Sequence, residues 1–358
     1  MASPPTVSVV VTNFDGEHYL PGIMQALART DYPFHEVIVS DDASRDGSRL
    51  LVRHRYPDVK LVTSDANRGP GPARNAGMLA ASGDLVLLLD NDGWPFADSI
   101  APMVNQLEAD PELVGIMPRV ILRGDPPLIH CDGARTHPSG QMWLLNGHVR
   151  IEDAPTEPEP ITSLMGTAMM VRRDIALGIG GFERDFFFYY EDHDFGTRMR
   201  ILGGPLSSAP AARIDHLGGT ADLSFRKGRS YPHRRIFLIA KNRHLFALRN
   251  LEGRTLLVLA PLLLVHEVAQ VAFVMLKGWT ELYFQGLRWN LTHLGRTLRK
   301  RDRIQSRRIV SDRSIMQPGP LPLHPSVLNA KGPVATIRKV LEGALQTLWR
   351  VLEPGLRR

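Results

Sequence analysis

Short apolar runs alternate with helix-forming stretches through the N-terminal part of this chain, and that alternation narrows the possible folds more than any other feature. Val7-Ser8-Val9-Val10-Val11, Glu36-Val37-Ile38-Val39-Ser40, Val59-Lys60-Leu61-Val62 and Leu85-Val86-Leu87-Leu88-Leu89 read as four strands. His18 to Arg29, Ser48 to His54 and Pro72 to Ala81 read as the helices between them. Strands that are apolar throughout, rather than at every second residue, are buried on both faces. Strand–helix repeats of this kind give an α/β architecture, a Rossmann-like, mostly parallel sheet flanked by helices. Such sheets offer their ligand sites beyond the carboxyl ends of the strands.

The residues after each run are therefore the first candidates. Thr12 and Phe14 follow the first strand, a small polar group and an aromatic suited to holding a nucleobase. Asp41 and Asp42 follow the second, where a carboxylate can accept from a base or a ribose hydroxyl. After the third comes Asn67-Arg68-Gly69-Pro70-Gly71-Pro72-Ala73-Arg74-Asn75-Ala76-Gly77, whose Arg74, near a helix start, could meet a phosphate. This stretch follows the third strand, so it is not a Rossmann glycine loop, and without Gly-Lys-Ser/Thr it is not a P-loop. Asp90-Asn91-Asp92 follows the fourth strand and suits a hard divalent cation carrying a diphosphate. A second acidic cluster, Glu191-Asp192, comes about a hundred residues later, after Phe186-Phe187-Phe188-Tyr189-Tyr190, and could supply a general base.

From Ile100 to Gly219 short strands mix with loops, including an acidic, Pro-rich loop over Glu152 to Pro160. From about Ser230 the sequence turns basic and helical. Leu256 to Val265 and Val268 to Leu276 are apolar over a length that can span a bilayer, about 20 residues. Pro261, His266, Glu267 and Gln270 interrupt them, which favours a hairpin or in-plane helix in one leaflet over a spanning helix. Trp279, Tyr283, Phe284 and Trp289 resemble an interfacial aromatic belt. Val334 to Leu352 reads as an amphipathic helix. The net charge of +6 is concentrated between Arg296 and Arg308, with seven basic residues against Asp302. With no nucleic-acid motif present, an anionic membrane surface is the expected partner and nucleic acid is not. Cys131, the single cysteine, excludes an internal disulfide and a thiolate metal site. The N-terminus lacks a basic segment followed by an apolar one, so the N-terminal domain is expected in the cytoplasm.

Taken in order, the motifs resemble the GT-A fold of family 2 glycosyltransferases, and the second half resembles their rhamnosyltransferase-like branch. They are Asp41 to Gly47, Asn67 to Gly77, Asp90 to Asp92, Gly180-Gly181-Phe182-Glu183, then Phe186 to Asp194, Arg198 and His216. The resemblance covers roughly residues 5 to 250. It implies a GT-A catalytic domain over 1–225, with a nucleotide-sugar half to about 100 and an acceptor half beyond. A basic, helical, membrane-associated extension over 226–358 follows. It also implies roles: Thr12, Phe14, Asp41, Asp42, Arg74 and Asn91 for the nucleotide; Asp90, Asp92 and His216 for Mg2+ or Mn2+; Asp192 as base in an inverting displacement; Glu191 as acceptor-orienting group. The implied donor is a dTDP- or UDP-sugar, with dTDP-rhamnose the leading guess. The implied acceptor is a lipid-linked or membrane-bound saccharide at the cytoplasmic face of the membrane. His193 and Asp194 are expected to cap or pair locally. Gly181-Phe182-Glu183-Arg184 departs from the usual Gly-Phe-Asp-Glu. Gln285-Gly286-Leu287-Arg288-Trp289 matches a motif of processive synthases but has no multi-helix channel after it, and reads as chance. A catalytically silent nucleotide-sugar or membrane scaffold is the alternative, and the intact Asp90, Asp92 and Asp192 argue against it.

Overall fold

The computed structural model describes residues 4–218, 233–321 and 331–356. The four expected N-terminal strands form as β1 (Val7–Asn13), β2 (Glu36–Asp41), β3 (Lys60–Thr63) and β4 (Leu85–Asp90). They are joined by α1 (Leu20–Ala28), α2 (Ser48–Arg55) and α3 (Pro70–Ala80). In the sheet they lie β3-β2-β1-β4, all parallel. Every residue of β1 and five of the six in β4 are buried, as both-face coverage requires. The chain steps outward from β1 through β2 to β3, then returns to the other side of β1 as β4. That reversal opens a crevice at the carboxyl ends of β1 and β4.

The sheet continues from β4 with a change of direction. The next elements are β5 (Gly93–Pro95), α4 (Ile100–Ala109), β6 (Gly115–Leu122), β7 (Leu128–Cys131), β8 (Gly133–Thr136), β9 (Met142–Leu145) and β10 (Pro160–Ile161). They are followed by β11 (Ala168–Arg172), α5 (Arg173–Gly178), α6 (Glu191–Arg198) and β12 (Leu206–His216). β11 lies antiparallel between β4 and β6, and β12 runs parallel to β6. The main path is β10-β12-β6-β11-β4-β1-β2-β3, with β5 paired to β12 and β7 to β6 beside it, a mixed sheet with four parallel strands on one side.

The described residues divide into two compact units. One runs through Ala134 and resumes at Leu144; the other comprises Arg135–Trp143 and the described residues from His233 onward. The expected boundary at 225–226 lies outside the described residues. The second unit is helical: α7 (His233–Asn250), α8 (Gly253–Val258), α9 (Ala260–Leu276), α10 (Thr280–Thr292), α11 (Leu294–Gln305) and α12 (Pro333–Leu352). Among the described residues no helix is long and apolar enough to cross a membrane. The apolar stretch from Leu256 is cut at Leu259, where α8 ends and α9 begins. The spanning reading of Leu256 to Leu276 therefore has no helix to carry it. Gln285 and Arg288 are exposed on α10, and Gln285 bonds Glu281 one turn away.

Candidate active site

The crevice between β1 and β4 is lined by side chains that hold one another. The parallel register sets Thr12 beside Asp90. Thr12 Oγ1 lies 3.0 Å from the Leu89 carbonyl and 3.1 Å from Asp90 Oδ1. Asn91 donates to Asn13 Oδ1 at 2.7 Å, and Asn13 donates to Asp41 Oδ2 at 2.9 Å. These contacts bind the ends of β4, β1 and β2 into one network. Phe14 is half-buried just beyond it. Asp41 also accepts from the Ser44 hydroxyl and from Arg49 Nε at 2.6 Å. Burial by itself would raise the Asp41 carboxyl, but the hydrogen bonds from Ser44, Arg49 and Asn13 hold it below the usual range. Asp42 is turned elsewhere. Its carboxylate accepts from the backbone N–H of Arg68 and, at 2.7 Å, of Gly69. It ties the end of β2 to the start of α3.

Glycine makes that start possible. Gly69 has φ +90° and a Cβ there would run into the Phe187 backbone, so only glycine fits. Further along α3, a Cβ at Gly77 would overlap the Val10 side chain, so α3 lies close on β1. This seating drives Arg74 into the interior. Its side chain is 2% exposed, and Nη2 donates to Asp90 Oδ1 at 2.7 Å and to the Gly166 carbonyl at 3.1 Å. Nη1 reaches Glu191 Oε1 at 3.4 Å, and the guanidinium stacks over Phe182. One fork thus joins the two acidic motifs that the sequence separates. Nη1 and Nη2 both turn to protein groups, so Arg74 braces the two motifs from within.

Glu191 and Asp192 open α6, and the approach to that helix is strained. Phe187, Tyr189 and Tyr190 have φ of 65°, 61° and 69°. Bulky side chains rarely adopt such angles, and they gather at functional sites. Asp192 is half-buried; Oδ2 accepts from Gly166 N–H at 2.9 Å and Oδ1 from its neighbour's N–H at 2.7 Å. Glu191 is buried and its Oε2 has no hydrogen-bond partner. Burial first, then the facing Asp192 carboxylate, pushes Glu191 well above the usual carboxylate range. Burial raises Asp192 too, against the Gly166 N–H and Arg74. Asp194 pairs with Arg198 one turn on at 2.8 Å, whereas His193 bonds Ser163, 30 residues away, rather than a local partner.

The third cluster is built by β5 pairing with the end of β12, which sets His216 opposite Gly93. His216 Nε2 then lies 3.4 Å from Asp92 Oδ2, both buried. Behind it, His216 Nδ1 lies 3.1 Å from His130 Nδ1 and the two rings stack. Among the described residues no group of three or more His, Cys, Asp or Glu side chains converges as a metal cage. One carboxylate oxygen and one imidazole nitrogen nevertheless fit Mg2+ or Mn2+ that keeps most of its places for diphosphate oxygens and water. With His216 Nε2 as a ligand, its Nδ1–H would donate to His130, the outer contact a metal-bound histidine needs.

Of the candidate residues, Thr12, Asp90, Arg74 and Glu191 are linked in turn, and Asp192 joins them through Gly166; Asp92 and His216 form a pair; Asn91 and Asp41 join through Asn13. Asp42 is turned away into the α3 loop. His130 and Asn13 escaped the sequence reading. Nothing in Leu128-Ile129-His130-Cys131 marks His130, whose partner lies 86 residues away. Asn13 carried a signal, its place at the end of β1.

Residues 8–178 match the family model described as Glycosyl transferase family 2. An N-acetylglucosaminyl-diphospho-decaprenol L-rhamnosyltransferase of Mycobacterium tuberculosis is 28% identical over 235 residues, 58% of this chain and 74% of its own length. The poly(ribitol-phosphate) beta-N-acetylglucosaminyltransferase TarS of Staphylococcus aureus is 27% identical over 176 residues, 47% of this chain and 29% of its own. Among solved structures, GalNAc-T7 with UDP, GalNAc and Mn2+ superposes with TM-score 0.53 at 16% identity, over 69% of this chain and 50% of that one. At that identity the likeness is one of fold.

Proposed function

This chain belongs to glycosyl transferase family 2 and is built on the GT-A fold, and from that premise we propose an inverting, metal-assisted transfer of one sugar from a nucleotide donor to a hydroxyl. The observation that carries the reading is the bridge through Arg74, which sets the carboxylate at the β4 end beside the Glu191–Asp192 pair. Asp192 takes the proton of the acceptor hydroxyl as that oxygen bonds the anomeric carbon. The bond from that carbon to the donor phosphate breaks on the opposite face, and the nucleoside diphosphate leaves with the electron pair. Two backbone N–H groups fix Asp192 in place, so it holds the proton at a defined position. Glu191 Oε2, buried and unpartnered, is available to orient the acceptor. Asp92 and His216, with Asp90 close by, would hold Mg2+ or Mn2+, which supplies charge neutralisation for the departing diphosphate.

The relative named as a rhamnosyltransferase supports dTDP-rhamnose as the first donor to try and a lipid-linked saccharide as the acceptor class. The reading assigns the reaction to the cytoplasmic face of a membrane. The test is release of UDP, dTDP or GDP from a panel of sugar nucleotides, with Mn2+ or Mg2+ against EDTA and membrane lipid extract as acceptor. Metal-dependent release from one donor, absent in Asp192→Asn, is the expected result. Full turnover by Asp192→Asn would remove Asp192 as the base.

A further inference from the structure

α9 is inverted for a helix in water. Its polar side chains face protein: His266 is buried with Nε2 2.9 Å from Gln141 Oε1, and Glu267 pairs with Arg243 and accepts from Tyr283 Oη at 2.6 Å. Its open face carries Pro261, Leu264, Val268, Ala272 and Met275, spaced three or four residues apart, with Val265 beside them, and no charge. Leu264, Val268 and Met275 are each about 60% exposed. α12, packed against α9, adds an exposed stripe of its own in Ile337, Val340 and Val351. Soluble monomers seldom leave apolar surface of this extent uncovered.

We propose that this face of the C-terminal unit docks in-plane on an anionic phospholipid bilayer. α9 has 17 residues, about 25 Å of helix, less than the roughly 30 Å of hydrocarbon a spanning segment must cross. It therefore lies along the surface rather than through it. The polar surface of the unit has the matching charge. Arg254, Lys277, Arg288, Arg299, Arg303 and Lys339 are exposed, whereas the exposed acids among the described residues from Leu251 onward are Glu281 and Asp302. An anionic leaflet attracts a unit whose exposed charge is mostly basic. A second copy would bring two units of the same basic charge together.

The experiment is co-sedimentation of the full chain with phosphatidylcholine vesicles, with and without phosphatidylglycerol. Binding to the anionic vesicles, at least tenfold weaker in 0.5 M salt and on neutral vesicles, is the expected result. Leu264→Glu/Val268→Glu should lower binding at least tenfold, and Met275→Glu should lower it by itself; circular dichroism checks that each variant keeps its helix content. Arg299→Glu/Arg303→Glu should weaken binding and flatten its salt dependence. No binding by the unaltered chain, or equal binding by the glutamate variants, overturns the proposal. So does a dimer in light scattering that falls to monomer in Leu264→Glu/Val268→Glu without any vesicle binding. The readout needs no turnover, so it can fail while the transferase reading stands, or stand while that fails.

Discussion

Replacing Arg74 by Met removes one guanidinium and leaves Asp90 and Glu191 facing each other without a counter-charge. Breaking a buried ion pair on one side costs about 3–5 kcal/mol, and Asp90 is about a third exposed, so the loss belongs near 3. Arg74→Lys keeps the charge but cannot fork to both carboxylates, and should fall between, with turnover down at least tenfold. Urea unfolding and donor turnover check both. Glu191 and Asp192 set a pH dependence with a definite sign. Asp192 acts ionised, and its carboxyl is raised, so kcat/KM should climb with pH along a limb above the ordinary carboxylate range. Glu191, pushed up to about 8, stays protonated while Asp192 ionises, so Glu191→Gln should leave this limb in place; a limb moved to lower pH would show that Glu191 carries charge there. His130→Phe keeps a ring against His216 but loses the Nδ1 acceptor. The metal concentration for half activity should rise 10–100-fold with the pH limb in place. At this scale the sequence shows where the acids stand, because carboxylates directly after apolar runs lie at strand ends. It does not show that Arg74 joins Asp90 to Glu191, because a motif does not say whether a side chain points into the protein or out of it.

Among the elements, β1 to β4 were legible because buried parallel strands spell themselves as unbroken apolar runs. The direction of β11 was not. An apolar run from Thr162 reads alike for either direction, and pairing with β4 decides it. The strained turn at Phe187 to Tyr190 was also hidden, since aromatic residues give no signal for positive φ. α3 begins at Pro70 rather than Pro72 because Asp42 holds the Gly69 N–H and the helix starts directly behind that anchor. The packing of α3 on β1 can be measured. Gly77→Ala places a methyl against Val10 and should cost about 1–3 kcal/mol. Gly178→Ala, at the end of α5 with open space around its Cβ, should be neutral or slightly stabilising. Equal urea midpoints for the two variants would show that α3 is not wedged on β1.

Two buried histidines lie in the helical unit and the raised Glu191–Asp192 pair in the other, and acid should act on these two sets with opposite sign. In the helical unit, burial lowers His137 to about 4 and His266 to about 3, so both are neutral when folded. Unfolded, they take protons below about pH 6.5. Between there and the folded values the unfolded chain binds more protons, and stability falls as pH falls, on the order of 1 kcal/mol per histidine by pH 5.5. In the sheet-containing unit, Glu191 and Asp192 are raised, so the folded state binds more protons above the ordinary carboxylate range. Their contribution grows as pH falls through the folded values. The lowered carboxyls, Asp41 and Glu267 among them, lose their contribution only below the ordinary carboxylate range, outside this interval. Hydrogen exchange at pH 7.5 and 5.5, corrected for intrinsic rates, should show protection falling across α7, α9 and α10 at the lower pH while β1 and β4 keep or gain theirs. His266→Phe should remove part of the first change and none of the second. A parallel loss in both units would mean that they open as one cooperative body, with the histidines destabilising the sheet as much as the helices.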